Sequence, residues 1–415
     1  MRRILTSVIV AAFGLLIINA PASLAGKKKA KDDAKWAPAV DPKPLSENAK
    51  KGIAWLLEHQ QKDGGWAQGE ESRNMGGSMA QVKDKPNVGD TCIASLALIR
   101  SGSTPAKGAY AKNILSAVGY VCKEIEESDK KSLFITKTKG TRLQSKLGTY
   151  IDTFLASMLL AEVRGKMPNK KSEKMVFDAL HKVMDKIERN QREDGTFGGS
   201  GWANALSQSM ASKGINRMAQ AGGPVNEQVR ERLEKQARSQ FDTKSGKFSG
   251  KGSAGVDLYS SAGSVGAMQD SANTNVEQED DLRKQVKNAK SAPEKKKAQD
   301  KLNRFKDNKK DLQAAQTAVV AKLDNKQFIS GFGSNGGEEF LSYMNIGESL
   351  VVEGGDNWKK WDKQITDNLN RIQNKDGSWT GHHCITGRTF CTSAALLVLM
   401  TDRAPVPLAA KVKKK

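Results

Sequence analysis

The sequence predicts an all-α protein in which six apolar helices stand inside a ring of six amphipathic ones, with a helical hairpin inserted late in the chain. Three observations predict it. One frame recurs: LLEHQQKDGGW (Leu56–Trp66), IERNQREDGTF (Ile187–Phe197) and LNRIQNKDGSW (Leu369–Trp379). Six segments rich in small and aliphatic residues read as buried helices. Between them lie lysine-rich amphipathic segments in strict alternation, as an outer layer requires.

The elements follow in chain order. Arg2 and Arg3 precede an apolar run from Ile4 to Ile18, and Ser23-Leu24-Ala25 offers small residues where a signal peptidase reads them. The run is shorter than the ~20 residues that span a bilayer. Residues 1–25 are therefore expected to be a signal peptide, with an uncleaved anchor as the alternative, and 26–44 a basic linker. The ring is expected over 45–402. Its outer helices lie near 45–61, 106–126, 172–191, 225–240, within 276–326, and 357–374. Its inner helices lie near Gly89–Ile99, Gly148–Val163, Trp202–Ala211, Asp257–Met268, Glu338–Val351 and Thr389–Met400.

In each frame an aliphatic residue sits four before a glutamine, on one helix face. The frame positions are Gln60, Gly64 and Trp66, then Gln191, Gly195 and Phe197, then Gln373, Gly377 and Trp379. The glycine is expected to take a left-handed conformation and stop the helix, and the aromatic to fold back on the same face. A degenerate copy, FDTKSGKF, keeps Gly246 and Phe248. From about 276 to 325 apolar residues recur at Leu282, Val286, Ala298, Leu302, Phe305, Leu312 and Val319, broken at Ser291–Pro293, which predicts the hairpin. Residues 403–415 form a basic tail.

The net charge of +21 concentrates in Lys27–Lys31, Lys284–Lys310 and Lys411–Lys415. These runs lack aromatic interleaving and any nucleic-acid motif, so they read as solvated charge, with weak association to an anionic membrane surface as the functional reading and no nucleic-acid partner.

The Gln-x-x-x-Gly-x-Trp frame at Gln60–Trp66 and Gln373–Trp379, with Phe197 in the second copy, resembles the repeat of squalene and oxidosqualene cyclases. The alternation resembles the α/α toroid those enzymes share with protein prenyltransferase β subunits. The resemblance spans roughly 45–402. It implies a central cavity with the N-termini of the inner helices at one mouth, and places Asp90, Asp152, Asp257, Glu339 and Tyr343 there as candidate chemical groups. The same first turns also offer Tyr259 and Glu338. Asp, Ser and Thr are also ordinary helix caps.

The families' signatures are missing. No Asp-x-Asp-Asp motif and no aspartate-rich diphosphate motif occurs, and aromatics make up 6% of the chain. The prenyltransferase zinc pattern is matched by Asp90 and Cys92, while its histidine would fall near Arg388; His382, His383 and Cys391 are the remaining residues for a zinc site. The other reading of Cys92, Cys122, Cys384 and Cys391 is two disulfides, Cys92 with Cys122 and Cys384 with Cys391, as suits an exported chain; buried free thiols are the third. Glycan chemistry with paired carboxylates drawn from Asp90, Asp152, Asp257 and Glu339 is a further option, since other α/α toroids work that way.

The reading reached from sequence is an exported toroid protein of the periplasm, envelope or exterior. It is expected to be non-catalytic and to bind a ligand in its cavity or an envelope partner, with no cofactor. The alternative is an enzyme acting on an isoprenoid or other lipid at the polar mouth, with or without zinc.

Overall fold

The computed structural model describes residues 36–72, 81–333 and 335–409. The expected signal peptide, most of the basic linker and the end of the basic tail lie outside the described residues. Among the described residues no helix is long and apolar enough to cross a membrane.

The fold is an all-α toroid. Its outer helices are α1 (Glu47–Glu58), α3 (Ala111–Glu126), α6 (Lys170–Asn190), α8 (Glu227–Ser239), α10 (Ala292–Val320) and α13 (Gly355–Ile372). Its inner helices are α2 (Val88–Arg100), α5 (Ile151–Val163), α7 (Asn204–Gln220), α9 (Asp257–Asn288), α12 (Gly337–Glu353) and α14 (Arg388–Leu399). Two short helices, α4 (Arg142–Lys146) and α11 (Lys326–Ile329), lie in connections. Each inner helix packs on the next, α2 to α5, α7, α9, α12 and α14, and α14 returns to α2.

The burial explains which helix goes where. Every residue of α5 is buried, because IDTFLASMLLAEV is apolar or small on nearly all sides. In α13 the buried residues are Trp358, Trp361, Ile365 and Leu369, one stripe at helical spacing. Each such large apolar side chain contributes about 1.5–3 kcal/mol on burial. A helix with one stripe can cover a ring; only one apolar all round can stand inside it.

The recurrent frame has a role the sequence did not disclose. The helices stop at His59, Gln191 and Gln373, before the glycine. Gln60 Nε2 donates to the carbonyls of Gly64 and, on the next outer helix, Asn113. Gln191 does the same to Gly195 and Val229, and Gln373 to Gly377 and Asn48. The glutamine thus staples three of the six outer helices to their successors, α1 to α3, α6 to α8 and, through Gln373, the last to the first. The glycine belongs to the tight turn that follows. Gly64, Gly195 and Gly377 have φ of +91°, +83° and +90°, and a Cβ there would lie 2.5, 2.3 and 2.8 Å from backbone oxygens of Ser116, Arg232 and Lys51 on the neighbouring helix. The expectation that glycine ends the helix is corrected: it allows two repeats to touch. Trp66 and Trp379 donate Nε1 to Leu56 and Leu369 in the preceding helix, so the aromatic does fold back.

Helix α9 runs on beyond the ring. It is buried almost continuously to Asn275, then only at Leu282. There it packs with α10 around Leu282, Ala298 and Phe305, a small core separate from that of the ring.

At the C-terminal ends of the inner helices the bore is filled. Arg100 contacts Glu348 at 2.8 Å, and Lys213 contacts both Asp270 at 2.9 Å and Glu348 at 2.8 Å. Arg217 lies 3.8 Å from Glu162 and donates to the Pro405 carbonyl. Burial would raise the Glu348 carboxyl, but Lys213, Arg100 and Arg217 outweigh it and hold it well below the usual range. A void of about 10 Å³ remains there, no more than about one water's space. A two-stranded ribbon of β1 (Trp36–Pro38) and the C-terminal strand Pro405–Pro407 lies at this end, with Trp36 Nε1 donating to Gln220.

Candidate functional site at the ring mouth

The opposite end carries the first turns of the inner helices. At the start of α12, Glu338 and Glu339 are both fully buried. Glu339 Oε1 accepts from the Phe332 amide at 3.0 Å and from the Tyr259 hydroxyl, and its Oε2 lies 3.4 Å from His383 Nε2. Glu338 Oε2 accepts from the Ile385 amide at 3.2 Å, while its Oε1 has no hydrogen-bond partner. One ligand atom from each of Glu338, Glu339 and His383 comes within 4.8 Å of the others, so these three could hold a cation.

Two connections wrap these carboxylates. Gly331 has φ +59°, and a Cβ on it would fall 2.4 Å from Glu339 Oε1; a Cβ on Gly337 would meet Ile385 at 2.6 Å. The glycines are there because the loops lie directly on the acids. Burial, and then the Glu339 charge, push the Glu338 carboxyl up to about 8. Burial also raises Glu339, against the opposing pull of His383. The positive end of α12 favours the ionised form but does not outweigh desolvation.

An aromatic path leads outward. The ring of His383 meets Phe332 edge-on at 5.2 Å, and Phe332 meets Trp202 edge-on at 5.9 Å. Phe332 is 50% exposed and Trp202 42%. Lys146 Nζ stands 5.5 Å from the centre of the Trp202 ring.

The other candidates distribute as follows. Asp90 and Asp152 are buried at the starts of α2 and α5. Burial pushes Asp90 up to about 7 and Asp152 up to about 6. Asp152 accepts from the Gly89 amide and Gln144, both at 2.8 Å, which ties α5 to α2; Asp90 accepts from Asn87 at 2.7 Å. Asp257 is half exposed and pairs with Lys322 at 2.6 Å on the outer side of the ring, away from the carboxylate cluster. Tyr343 donates to the Ile329 carbonyl at 2.6 Å and serves as a peg for α11.

Of the expected zinc residues Asp90, Cys92, His382, His383 and Cys391, only His383 joins the Glu338–Glu339 cluster; His382 is exposed. All four cysteines are buried free thiols, so neither expected bridge is formed. Cys391 instead turns its thiol to the Ile385 carbonyl at 3.4 Å, and burial pushes the Cys122 and Cys384 thiols up to about 12.

Sequence reasoning passed over Glu338 in favour of Glu339, and missed Trp202 and Phe332 as members of one site. Consecutive acids directly after Gly336-Gly337 were a signal for the first; nothing in the sequence links the aromatics to them.

No known sequence family matches the chain, and neither does any curated protein. Solved structures do share its fold. One is an inactive variant of an α-1,6-mannanase of Salegentibacter sp. HEL1_6, with two consecutive aspartates changed to asparagine, in complex with α-1,6-mannotriose. It is 9% identical, with a TM-score of 0.52 over 86% of this chain and 98% of that one. Another is an α-amylase from Clostridium perfringens, 9% identical, with a TM-score of 0.51 over 86% and 99%.

The expected squalene cyclase and prenyltransferase family is corrected by these neighbours, and with it the expected roles: a non-catalytic cyclase-like binder, or an enzyme of isoprenoids and lipids. The physical reason lies in the repeat frame. Its glutamine, glycine and aromatic hold a ring together, a demand of packing that any toroid of this geometry can meet whatever its chemistry.

Proposed function

We propose that the protein is a glycoside hydrolase acting on an α-linked glycan at the mouth formed by Glu338, Glu339, His383, Tyr259, Phe332 and Trp202. The observation that carries the reading is the consecutive pair Glu338–Glu339, converging at the head of an inner helix with exposed aromatic rings leading to it. The mannanase with the same fold is inactive when two consecutive aspartates are changed, a parallel in kind that supports the assignment.

Glu338, with its carboxyl up at about 8, holds a proton at neutral pH and is the general acid. Glu339, beside His383 and fed by two donors, is the nucleophile. Carboxyl groups about 5–5.5 Å apart go with retention and about 6.5–9.5 Å with inversion, and oxygens within 4.8 Å favour retention. Glu338 protonates the departing glycosidic oxygen as Glu339 bonds to the anomeric carbon. Water then displaces Glu339, with Glu338 taking the proton. Trp202 and Phe332 offer apolar faces to the sugar rings. Phe332 and the segment 381–385 must move aside to admit it, since both acids are buried.

The test is incubation of the purified protein with α-1,6-mannotriose, α-mannan and amylose, following reducing ends and, by proton NMR, the first anomer formed. Retention is expected. Glu339→Gln and Glu338→Gln are each expected to lower kcat by 10³-fold or more with an unchanged circular-dichroism spectrum. Release of no sugar from any of the three, or release indifferent to both variants, defeats the proposal.

A further inference from the structure

The projecting part of α9, the facing side of α10 and the end of α12 enclose a second cavity, distinct from the mouth, of about 960 Å³. That is within the about 300–1,000 Å³ typical of small-ligand sites. The ring fold does not need it. It exists because α9 and α10 both continue past the ring and hold each other off α12.

Its walls are of two kinds. Val286, Leu302 and Phe305 form an apolar strip, and amide side chains a polar one, Gln269 and Gln316 buried and Gln299, Asn303 and Gln313 on the outer wall; charged residues stand on the rim. An amide carries both donors and an acceptor, and suits hydroxyl groups better than a charged ligand. The charged residues on the rim are Arg283, Lys306 and Lys309 against Glu279 and Glu353, and Arg283 is held by Glu279 at 2.5 Å, so the rim carries a net charge of about one and no cluster of a single sign.

The inner amides form an incomplete network. Gln316 Nε2 donates to Ser349 Oγ at 2.9 Å and to Gln269 Oε1 at 3.2 Å, and Gln269 donates to Asn273 at 2.8 Å. Gln316 is 3% exposed, yet its Oε1 has no hydrogen-bond partner. A buried amide oxygen without a donor costs about 1–3 kcal/mol, a cost removed once the Gln316 side chain turns its oxygen toward a hydroxyl in the cleft that it lines.

We infer that this cleft is a second binding site for a neutral oligosaccharide, the apolar strip taking the C–H face of a sugar ring and the amides its hydroxyls. A site apart from the mouth would hold a glycan chain near the ring while the mouth works on it. The inference rests on the glycan reading above for its choice of probes and for this role.

The experiment is saturation-transfer NMR and calorimetric titration with α-1,6-mannotriose and with maltotriose, using the Glu338→Gln/Glu339→Gln double variant so that hydrolysis plays no part. Saturable binding of at least one sugar is expected. Gln316→Leu, added to that background, is expected to weaken it tenfold or more, and Asn303→Ala on the exposed wall, where folding is not at stake, severalfold. Binding of neither sugar, or binding unmoved by both substitutions, overturns the inference. So does capture of an apolar dye by the cleft that neither sugar displaces, which would mark a surface for a partner helix. Sugar binding that depends on Gln316 in a protein with no hydrolytic activity would leave this site standing while the proposed hydrolase function fell.

Discussion

Asp90 shows what burial does to a single group. Its carboxyl accepts from Asn87, yet Oδ1 has no hydrogen-bond partner, and desolvation raises the pKa from 3.8 to about 7. An acid raised in the folded state binds its proton more tightly there than in the unfolded chain. Its contribution is therefore most favourable below pH ~4 and is lost as pH rises to about 7. Asp90→Asn is expected to leave the melting temperature nearly unchanged at pH 4 and to raise it at pH 8, by up to roughly 4 kcal/mol of stability before relaxation. Equal melting shifts at both pH values would show that Asp90 stays ionised. At the mouth the same physics sets activity: Glu338 must be protonated to act as acid, so kcat is expected to fall as pH rises through about 8. A pH–rate profile flat to pH 10 would remove Glu338 from that role.

At the scale of elements, the repeat turn is where the ring is held. Gly377→Ala meets both a φ of +90° and the Lys51 carbonyl at 2.8 Å, whereas Gly354→Ala, at φ +68°, meets nothing within 4 Å. The second is expected to cost about 1 kcal/mol from backbone strain alone and the first clearly more, since a helix must also retreat. Gln373→Ala, which removes the staple to Asn48, is expected to cost about 1–3 kcal/mol. Chemical denaturation of the three variants checks the order. Helix position was legible in the sequence, because an apolar stripe or an apolar cylinder is a local pattern. The purpose of the glutamine was not, because its partner is on another repeat. The site was legible only in part: Glu339 could be chosen from the first turn of α12, but His383 and Phe332 reach it, and Trp202 reaches Phe332, from connections whose course no periodicity encodes.

For the whole molecule, the bore is the deciding feature. A central cavity with one mouth was the expectation, and the end of the ring away from that mouth is plugged by Arg100, Lys213 and Arg217 facing Glu162, Asp270 and Glu348. Arg100–Glu348 and Lys213–Glu348 join inner helices that are not neighbours in the ring, α2 and α7 each to α12, so these two pairs lock its diameter, while Lys213–Asp270 and Arg217–Glu162 tie adjacent helices. Lys213→Met leaves Asp270 and Glu348 short of a counter-charge and is expected to cost about 3–5 kcal/mol in urea denaturation. A loss under 1 kcal/mol would mean that water enters and solvates the acids.

The amino-acid sequence by itself determined the alternation of outer and inner helices, the number of hairpins and the turns between them, since each follows from local hydrophobic pattern and from glycine's backbone freedom. Only the tertiary structure decided that the bore is filled at one end. It alone brought Glu338, Glu339 and His383 together at the other, and opened an amide-lined cleft beneath the projecting hairpin. Those arrangements depend on residues far apart in the chain, whose meeting is governed by how the repeats close on one another.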